Sequence, residues 1–112
     1  MIIFISAMGS SFDSQMSARY GRAPWFIRYD TETSDWQAIE NMGPNLQGGA
    51  GVSTSQLLMD QGAKAVISGH FGPNAKQALQ AGGITMLSVD ADQLTVDEAV
   101  RQYQSGLLTA NE

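Results

Sequence analysis

The spacing of apolar residues changes about halfway along the chain. Residues 2–6 form a nearly continuous apolar run, which predicts a central strand covered on both faces. Residues 25–30 and 36–40 have a strand-like pattern, and the polar stretch 31–35 between them predicts a hairpin. The first part of the chain is therefore predicted to form an antiparallel meander of strands.

Helical spacing dominates the second half. Gly62 stands where a helix should end, and Pro73 stands at the first position of the next helix. Thr95 and Glu98 have the spacing of a capping box at the start of a last helix. The elements predicted here are helices over residues 52–61, 73–81 and 96–103 and strands over residues 64–68 and 84–89.

The predicted order β-β-β-α-β-α-β-α indicates an α/β fold in one domain over residues 1–112. Strands that follow helical crossovers should lie parallel to the first strand, which gives a mixed five-stranded sheet with helices on its faces. The carboxyl ends of the first strand and of the two late strands should then meet at one edge. Open α/β sheets bind ligands at such an edge.

Two connections, residues 7–24 and 41–51, are long and have no clear structure of their own in the sequence. Connections of this length in a compact domain are usually functional or mobile. We therefore expect both of them to contribute to a ligand site.

Composition narrows the function classes. The chain has no cysteine and one histidine, so a protein-ligated metal centre of the usual kind is hard to build. The net charge of −5 argues against a nucleic-acid binder. Residues 1–29 nevertheless carry three arginines against one aspartate, and such a local basic patch suits a small anion. No secretory or membrane segment is visible, so a cytoplasmic location is expected.

Three glycine-rich turns supply the candidate chemistry: YGRAPWF at residues 20–26, GGAGVS at 48–53 and SGHFGPN at 68–74. The second and third precede helices, so they should present free backbone N–H groups at helix N-termini, which attract anions. Ordinary turn chemistry is the alternative explanation for each turn taken alone. The convergence of two such turns on one sheet edge favours a site.

Several side chains have a functional and a structural interpretation. Arg22 is favoured as a donor to a complex anion, whereas Arg19 is a weaker candidate and Tyr20 is expected to pack. His70 is more often a structural group than a metal ligand, although it lies at the suspected edge. Met8 and Met42 could offer thioethers to a soft metal ion, or could simply fill gaps.

Catalytic signals are weak. Arg28 is expected to point outward from a strand and to pair with surface carboxylates. The acidic residues within 90–98 are expected to cap a helix and to form a solvent-exposed face. Metal-dependent nucleases built on such a sheet need metal-binding carboxylates on their core strands. The first predicted strand carries none, which argues against nuclease activity. No catalytic triad order, phosphate loop or dinucleotide fingerprint is present either.

Together these motifs resemble the dinitrogenase iron–molybdenum cofactor biosynthesis family. The residues that carry the resemblance are MGSSFD at 8–13, YGRAPWF at 20–26, GAG at 49–51, GHFGPNA at 69–75 and LTVDEA at 94–99. Within the family, a short chain without cysteine is most similar to the orange proteins of sulfate-reducing bacteria. The resemblance implies a ribonuclease-H-like three-layer α/β/α fold and non-covalent binding of an anionic molybdenum–copper sulfide cluster.

On this basis the chain is expected to be a cluster carrier without enzyme activity and without nucleic-acid or membrane partners. The alternative is a regulatory module that docks an Mrp/MinD-type P-loop ATPase without a cluster. An enzyme that acts on phosphate or sulfur oxyanions is the least favoured option. The residues expected to contact the cluster are Met8, Ser10, Ser11, Arg19, Tyr20, Gly21, Arg22, Gly48, Gly49, Ala50, Gly51, Gly69, His70, Phe71, Gly72 and Asn74.

Overall fold

A mixed five-stranded sheet organises the chain in a computed structural model that describes residues 1–43 and 48–108. The strands lie in the order β3-β2-β1-β4-β5. The strands are β1 (Ile2–Ala7), β2 (Trp25–Asp30), β3 (Trp36–Glu40), β4 (Ala63–Ser68) and β5 (Thr85–Ser88). The helices are α1 (Ala50–Asp60), α2 (Pro73–Ala81) and α3 (Val96–Gln104), and a 3-10 turn (Ala91–Gln93) precedes α3.

The central strand β1 is antiparallel to β2 and parallel to β4. β3 pairs antiparallel with β2, and β5 pairs parallel with β4. This pairing confirms the predicted meander followed by helical crossovers. The first five residues after Ile2 are all buried, as expected for a strand covered on both faces.

Two hydrophobic cores lie on opposite faces of the sheet. Ile3 and Ile5 point toward α3, where they join Val96, Ala99 and Val100. The alternate β1 residues face α1 and α2, and the second core on that side contains Phe4, Phe26, Leu58, Ala75 and Leu79. The period-two alternation of β1 therefore separates two helical layers, and the fold is the three-layer α/β/α arrangement that the sequence predicted.

Predicted and observed elements differ mainly at their ends. The first helix begins at Ala50 rather than at residue 52, and the last strand covers Thr85–Ser88 rather than residues 84–89. β4 begins one residue early, at Ala63. Terminal residues have few hydrogen bonds of their own, so local pattern places them poorly.

The long connection over residues 7–24 is packed, which corrects the expectation that it has no structure of its own. The Met16 amide donates to the Leu94 carbonyl at 3.0 Å, and the Tyr20 amide donates to the His70 carbonyl at 3.0 Å. Met16 and Tyr20 are both buried. The buried backbone polar groups of a segment that crosses a sheet edge need hydrogen-bond partners. In this segment those partners are distant in sequence, and they fix its conformation. The second connection, residues 41–51, lies partly outside the described residues.

Arg28 behaves differently from the expectation of an outward, ion-paired side chain. It is half-buried on the face of β2 that also carries Phe26, and its strand partners are Phe4 and Gln37. None of the ion pairs found among residues 1–43 and 48–108 includes Arg28, and its Nε is buried without a hydrogen-bond partner there. Both faces of β2 are covered in this fold, so a side chain on either face of the strand can be buried. The alternation of side chains along β2 therefore does not predict which of them are exposed to solvent.

Over the described ranges, no helix combines the length and apolar character needed to cross a bilayer.

Candidate anion-binding site

The starts of α1 and α2 face each other at the carboxyl edge of the parallel strands, and they enclose a hollow of about 250 Å³. We call this the helix-start hollow. The residues that line it are Gly21, Arg22, Gly49, Ala50, Gly51, Val52, Gly72, Pro73, Asn74 and Ala75. The predicted convergence of two glycine turns on one edge is therefore present in the fold.

Neither helix start is capped by its own N-cap side chain. Gly49 precedes α1 in a left-handed conformation with φ of 73°, which favours glycine, and Gly72 precedes α2 with Pro73 at the first turn. The first-turn N–H groups of a helix have no carbonyl acceptor within the helix. Because Gly51, Val52 and Ala75 all line the hollow, it combines backbone donors with the positive ends of two helix dipoles.

Arg22 connects this hollow to a second one. Its side chain also lines an adjoining hollow of about 420 Å³, which we call the loop hollow. The residues that line the loop hollow are Met8, Gln15, Met16, Ser17, Ala18, Arg19, Arg22, Pro24 and Asp92. Arg22 Nη1 donates to the Gly43 carbonyl at 3.1 Å, so the guanidinium is held at the boundary between the two hollows.

Small residues let the backbone segments around the helix-start hollow approach one another. A Cβ on Gly21 would lie 3.0 Å from the Gly51 amide nitrogen, and a Cβ on Gly51 would lie 3.1 Å from the Ala75 Cβ. A Cβ on Gly43 would collide with the Gly21 carbonyl. Glycine at these positions therefore allows the backbone segments to approach each other closely. This close approach brings the two helix starts together.

Other glycines at the edge face open space. A Cβ on Gly48, Gly49 or Gly72 would meet nothing within 4 Å. Gly69 differs, since a Cβ there would lie 2.6 Å from the Ala18 carbonyl oxygen. Gly49 and Gly72 thus leave room for a guest, but only Gly72, with φ of −70°, also has a backbone conformation that accepts an added side chain.

Several residues expected in the site lie outside both hollows. Ser11 Oγ donates to Asp13 Oδ1 at 2.7 Å in an exposed turn, so this hydroxyl is used locally. His70 is exposed, and its amide donates to the Ala18 carbonyl at 2.7 Å. The expected contacts that line neither hollow are Ser10, Ser11, Tyr20, Gly48, Gly69, His70 and Phe71.

Tyr20 and Phe71 are core residues beneath the site. They are 0% and 2% exposed, and their ring centroids are 5.1 Å apart. The Tyr20 hydroxyl shares a hydrogen bond of 3.0 Å with Ser55 Oγ, which itself donates to the Gly51 carbonyl at 2.7 Å. Burial raises the pKa of Tyr20 well above its ordinary value, so the phenol stays neutral and supports the first turn of α1.

Sequence reasoning missed part of the lining. Val52 and Pro73 stand within the named turns and Ala75 directly follows one, so the helix-start argument could have included them. Gln15 and Asp92 belong to segments distant in sequence, joined because Gln15 Nε2 donates to the Ala91 carbonyl at 2.8 Å. The position of Asp92 just beyond β5, at the carboxyl edge, was the available signal.

The edge offers few conventional metal ligands. Among the residues that the structure describes, no three histidine or carboxylate groups are placed to hold a metal ion. A larger hollow of about 690 Å³ lies at the opposite edge, near Lys64, Thr85 and Tyr103. Among the described residues no helix starts there, so that hollow lacks the first-turn N–H donors found at the carboxyl edge.

Comparison with known proteins places the chain in a family. The family model described as dinitrogenase iron–molybdenum cofactor matches residues 1–106. The chain belongs to this family. The resemblance carried by the sequence motifs is therefore confirmed.

Similar proteins include two solved structures. The apo form of the orange protein from Desulfovibrio gigas is 34% identical with a TM-score of 0.92, over 99% of this chain and 96% of that one. A proposed NifB protein from Thermotoga is 29% identical with a TM-score of 0.84, over 97% and 91% of the two chains. A Methanocaldococcus jannaschii protein is 25% identical over 99 residues, 86% of this chain and 82% of that protein.

Proposed function

We propose that this protein binds an anionic metal–sulfide cluster non-covalently at the two adjoining hollows and carries it as cargo. The observation that carries the proposal is the convergence of two helix starts and Arg22 on one hollow. Membership of the iron–molybdenum cofactor family supports a metal cluster as the guest. The similarity to an orange protein supports the molybdenum–copper type.

The chemistry of the hollows suits such a guest. Backbone N–H groups and the guanidinium of Arg22 can donate to terminal sulfido or oxo groups, and Arg19 adds positive charge beside them. Met8 and Pro24 give the loop hollow an apolar side that suits polarisable sulfide faces. A cluster that brings its own bridging sulfides needs no cysteine, and this chain has none.

Carrying, rather than catalysis, is the role that this lining supports. Among the described residues that line the two hollows, Asp92 is the only carboxylate and there is no histidine. A general acid–base pair or an activated nucleophile would need further groups within hydrogen-bond reach. The arrangement is suited to shielding a preformed anion from water and releasing it unchanged.

Reconstitution tests the proposal directly. Tetrathiomolybdate and copper(I), mixed with the protein without oxygen near neutral pH, are expected to form a visibly absorbing species that co-elutes with the protein from a desalting column. Metal analysis of the eluted fraction then gives the ratio of molybdenum to copper. Colour that elutes separately from the folded protein would contradict the carrier role.

A matched comparison separates the molybdenum–copper proposal from general anion binding. Tetrathiomolybdate without copper is expected to be retained less well, since the proposed guest is the mixed-metal cluster. Equal retention with and without copper would leave anion binding in place and would overturn the mixed-metal assignment. Metal analysis of protein purified anaerobically from its native source provides the independent check.

Exposed apolar side chains favour a second candidate function. Met8, Met42 and Val52 are 57%, 58% and 51% exposed, and Met8 and Val52 line the two hollows. Exposed apolar side chains that gather at one edge can form a docking surface. Under this second proposal a protein partner, such as a P-loop ATPase, docks at the same edge. Partner binding that persists in cluster-free protein and is lost on Val52→Ser would favour docking.

A further inference from the structure

We infer that Asn41 and Thr54 are positioning residues that fix the guanidinium of Arg22 at the boundary between the two hollows. The inference rests on the proposed function, because it assigns a role in retaining the anionic guest. Both side chains are inaccessible, at 3% and 0% exposure, so neither can touch a guest directly. Any effect that they have on binding must pass through the residues they hold.

Asn41 connects three separate segments of the chain. Its Nδ2 donates to the Ala23 carbonyl at 2.8 Å, next to Arg22 in the sequence. Its Oδ1 accepts from Thr54 Oγ1 at 3.0 Å, on α1. The same Oδ1 accepts from the Gly43 amide at 3.3 Å. A primary amide is suited to this place because it donates and accepts at once.

The connection to Arg22 runs through the Gly43 residue. Its amide is held by Asn41, and its carbonyl accepts from Arg22 Nη1 at 3.1 Å. Gly43 also packs against the Gly21 carbonyl so closely that a Cβ has no room. The carbonyl that orients the guanidinium is therefore fixed by Asn41 on one side and by backbone packing on the other.

Thr54 anchors this network to α1, the helix whose first turn lines the helix-start hollow. The threonine hydroxyl thus sets the guanidinium relative to the backbone donors that face the same guest. Convergent donors must be held in a fixed relative position to act together on one anion. A buried polar network can also serve stability alone, and a double-mutant cycle with Arg22 distinguishes these roles.

The variants Thr54→Val and Thr54→Ser isolate the hydroxyl. Valine keeps the shape of threonine and removes the donor, whereas serine keeps the donor. With the copper(I)–tetrathiomolybdate species as probe, Arg22→Ala is expected to weaken retention about tenfold and Thr54→Val about fivefold. Thr54→Ser should remain within about twofold of wild type, and the double variant Arg22→Ala/Thr54→Val within about twofold of Arg22→Ala alone.

Multiplicative losses in the double variant would overturn the inference, as would wild-type retention by Thr54→Val. Val100→Ala serves as the control for general destabilisation, because Val100 is buried against the opposite face of the sheet. That variant is expected to retain the probe as wild type does. Loss of retention there would mean that stability, and not the position of Arg22, controls binding.

A second measurement needs no guest and so separates this inference from the carrier proposal. The side-chain Nε–H of Arg22 is expected to be rigid by heteronuclear NOE in cluster-free wild type and in Thr54→Ser, and mobile in Thr54→Val. An equally rigid signal in all three proteins would overturn the positioning role even if the cluster binds. Failure of wild type to retain the probe, with the expected NOE pattern, would overturn only the carrier proposal.

Discussion

The helix starts in this protein are of two kinds. At α3, Thr95 Oγ1 accepts from the Glu98 amide at 3.2 Å, and Glu98 Oε1 accepts from the Thr95 amide at 2.9 Å. At α1 and α2 the N-cap residues are Gly49 and Gly72, which have no side chain to cap with. The capped start belongs to the helix that covers one face of the sheet by itself. The two uncapped starts line the same hollow.

The contrast indicates where the chain leaves backbone donors available. A capping box satisfies the backbone amides of the N-cap and N3 residues, and its carboxylate interacts favourably with the positive end of the helix dipole. The site helices omit both contributions and so give up some stability. Their first-turn donors, which no N-cap side chain takes up, and their dipole ends can then interact with an external anion, with Arg22 beside them.

The largest expected effect comes from giving α2 the kind of start that α3 has. Gly72 has φ of −70°, and a Cβ there meets nothing within 4 Å, so Gly72→Asp should fold normally. The new carboxylate caps α2 and is expected to stabilise the protein by a few tenths to about 1 kcal/mol. It also repels a bound anion, which should weaken retention of the cluster about a hundredfold.

Urea unfolding and retention of the copper–tetrathiomolybdate species measure these two opposite effects. Gln80→Glu, near the other end of α2, adds the same net charge away from the hollow and should change retention little. Gly72→Asn, which caps without charge, should have an intermediate effect. Unchanged retention by Gly72→Asp would exclude the start of α2 from the site.

Removal of Arg22 is the next largest effect expected at the site. The loss of a charge-assisted hydrogen bond typically costs about 1.5–3 kcal/mol, so Arg22→Ala should weaken cluster retention by about tenfold or more. Arg101→Ala is the matched control. Arg101 lies on α3, is 68% exposed and pairs with Asp97 at 2.9 Å.

Both arginine variants change the net charge equally, so only a local role for Arg22 separates them. Retention is measured on the desalting column at two salt concentrations, because screening weakens exposed charges. If the two variants retain the cluster equally poorly, the net charge of the protein controls retention and Arg22 has no local role in binding.

A smaller effect is expected at the capped start, and it should concern stability alone. Thr95→Ala removes the side-chain acceptor of the capping box and should destabilise the protein by about 1 kcal/mol. Cluster retention should stay at the wild-type level, since Thr95 lines neither hollow. The midpoint of urea unfolding gives the first quantity, with Gln102→Ala in the same helix as control. A clear loss of retention would mean that the two kinds of start are not independent.

The smallest effect concerns the pH dependence of stability. The Thr95 amide, and then its hydroxyl, hold the pKa of Glu98 below its ordinary value of 4.5. A carboxylate with a lowered pKa in the folded state stabilises the protein above its unfolded pKa, and this contribution is lost as the pH falls through the folded pKa. Glu98→Gln should therefore flatten the fall in stability below about pH 4.5.

Urea unfolding of both proteins between neutral and acid pH measures that slope. In the Thr95→Ala background, where the hydroxyl is missing, Glu98→Gln should change the slope less. Parallel stability curves for wild type and Glu98→Gln would show that the capping box does not contribute to the acid sensitivity.

Local sequence determined the secondary structure and most of the topology. The apolar run of β1, the proline at the start of α2 and the Thr95–Glu98 box each act within one or two turns of chain. Such signals depend on periodicity and on neighbouring residues, which a sequence displays directly. Arg22 and the glycine turns were predicted as site residues on the same local grounds, and Arg22 lines the helix-start hollow together with part of each turn.

Only the tertiary structure decided which of those residues share a surface. Phe71 stands in a site motif but turns into the core, while Asp92 reaches the loop hollow from a segment distant in sequence. Asn41 carries no motif, yet it joins α1 to the loop of Arg22. Contacts of this kind depend on packing between segments far apart in sequence, and no local periodicity encodes which side chain fills a given space.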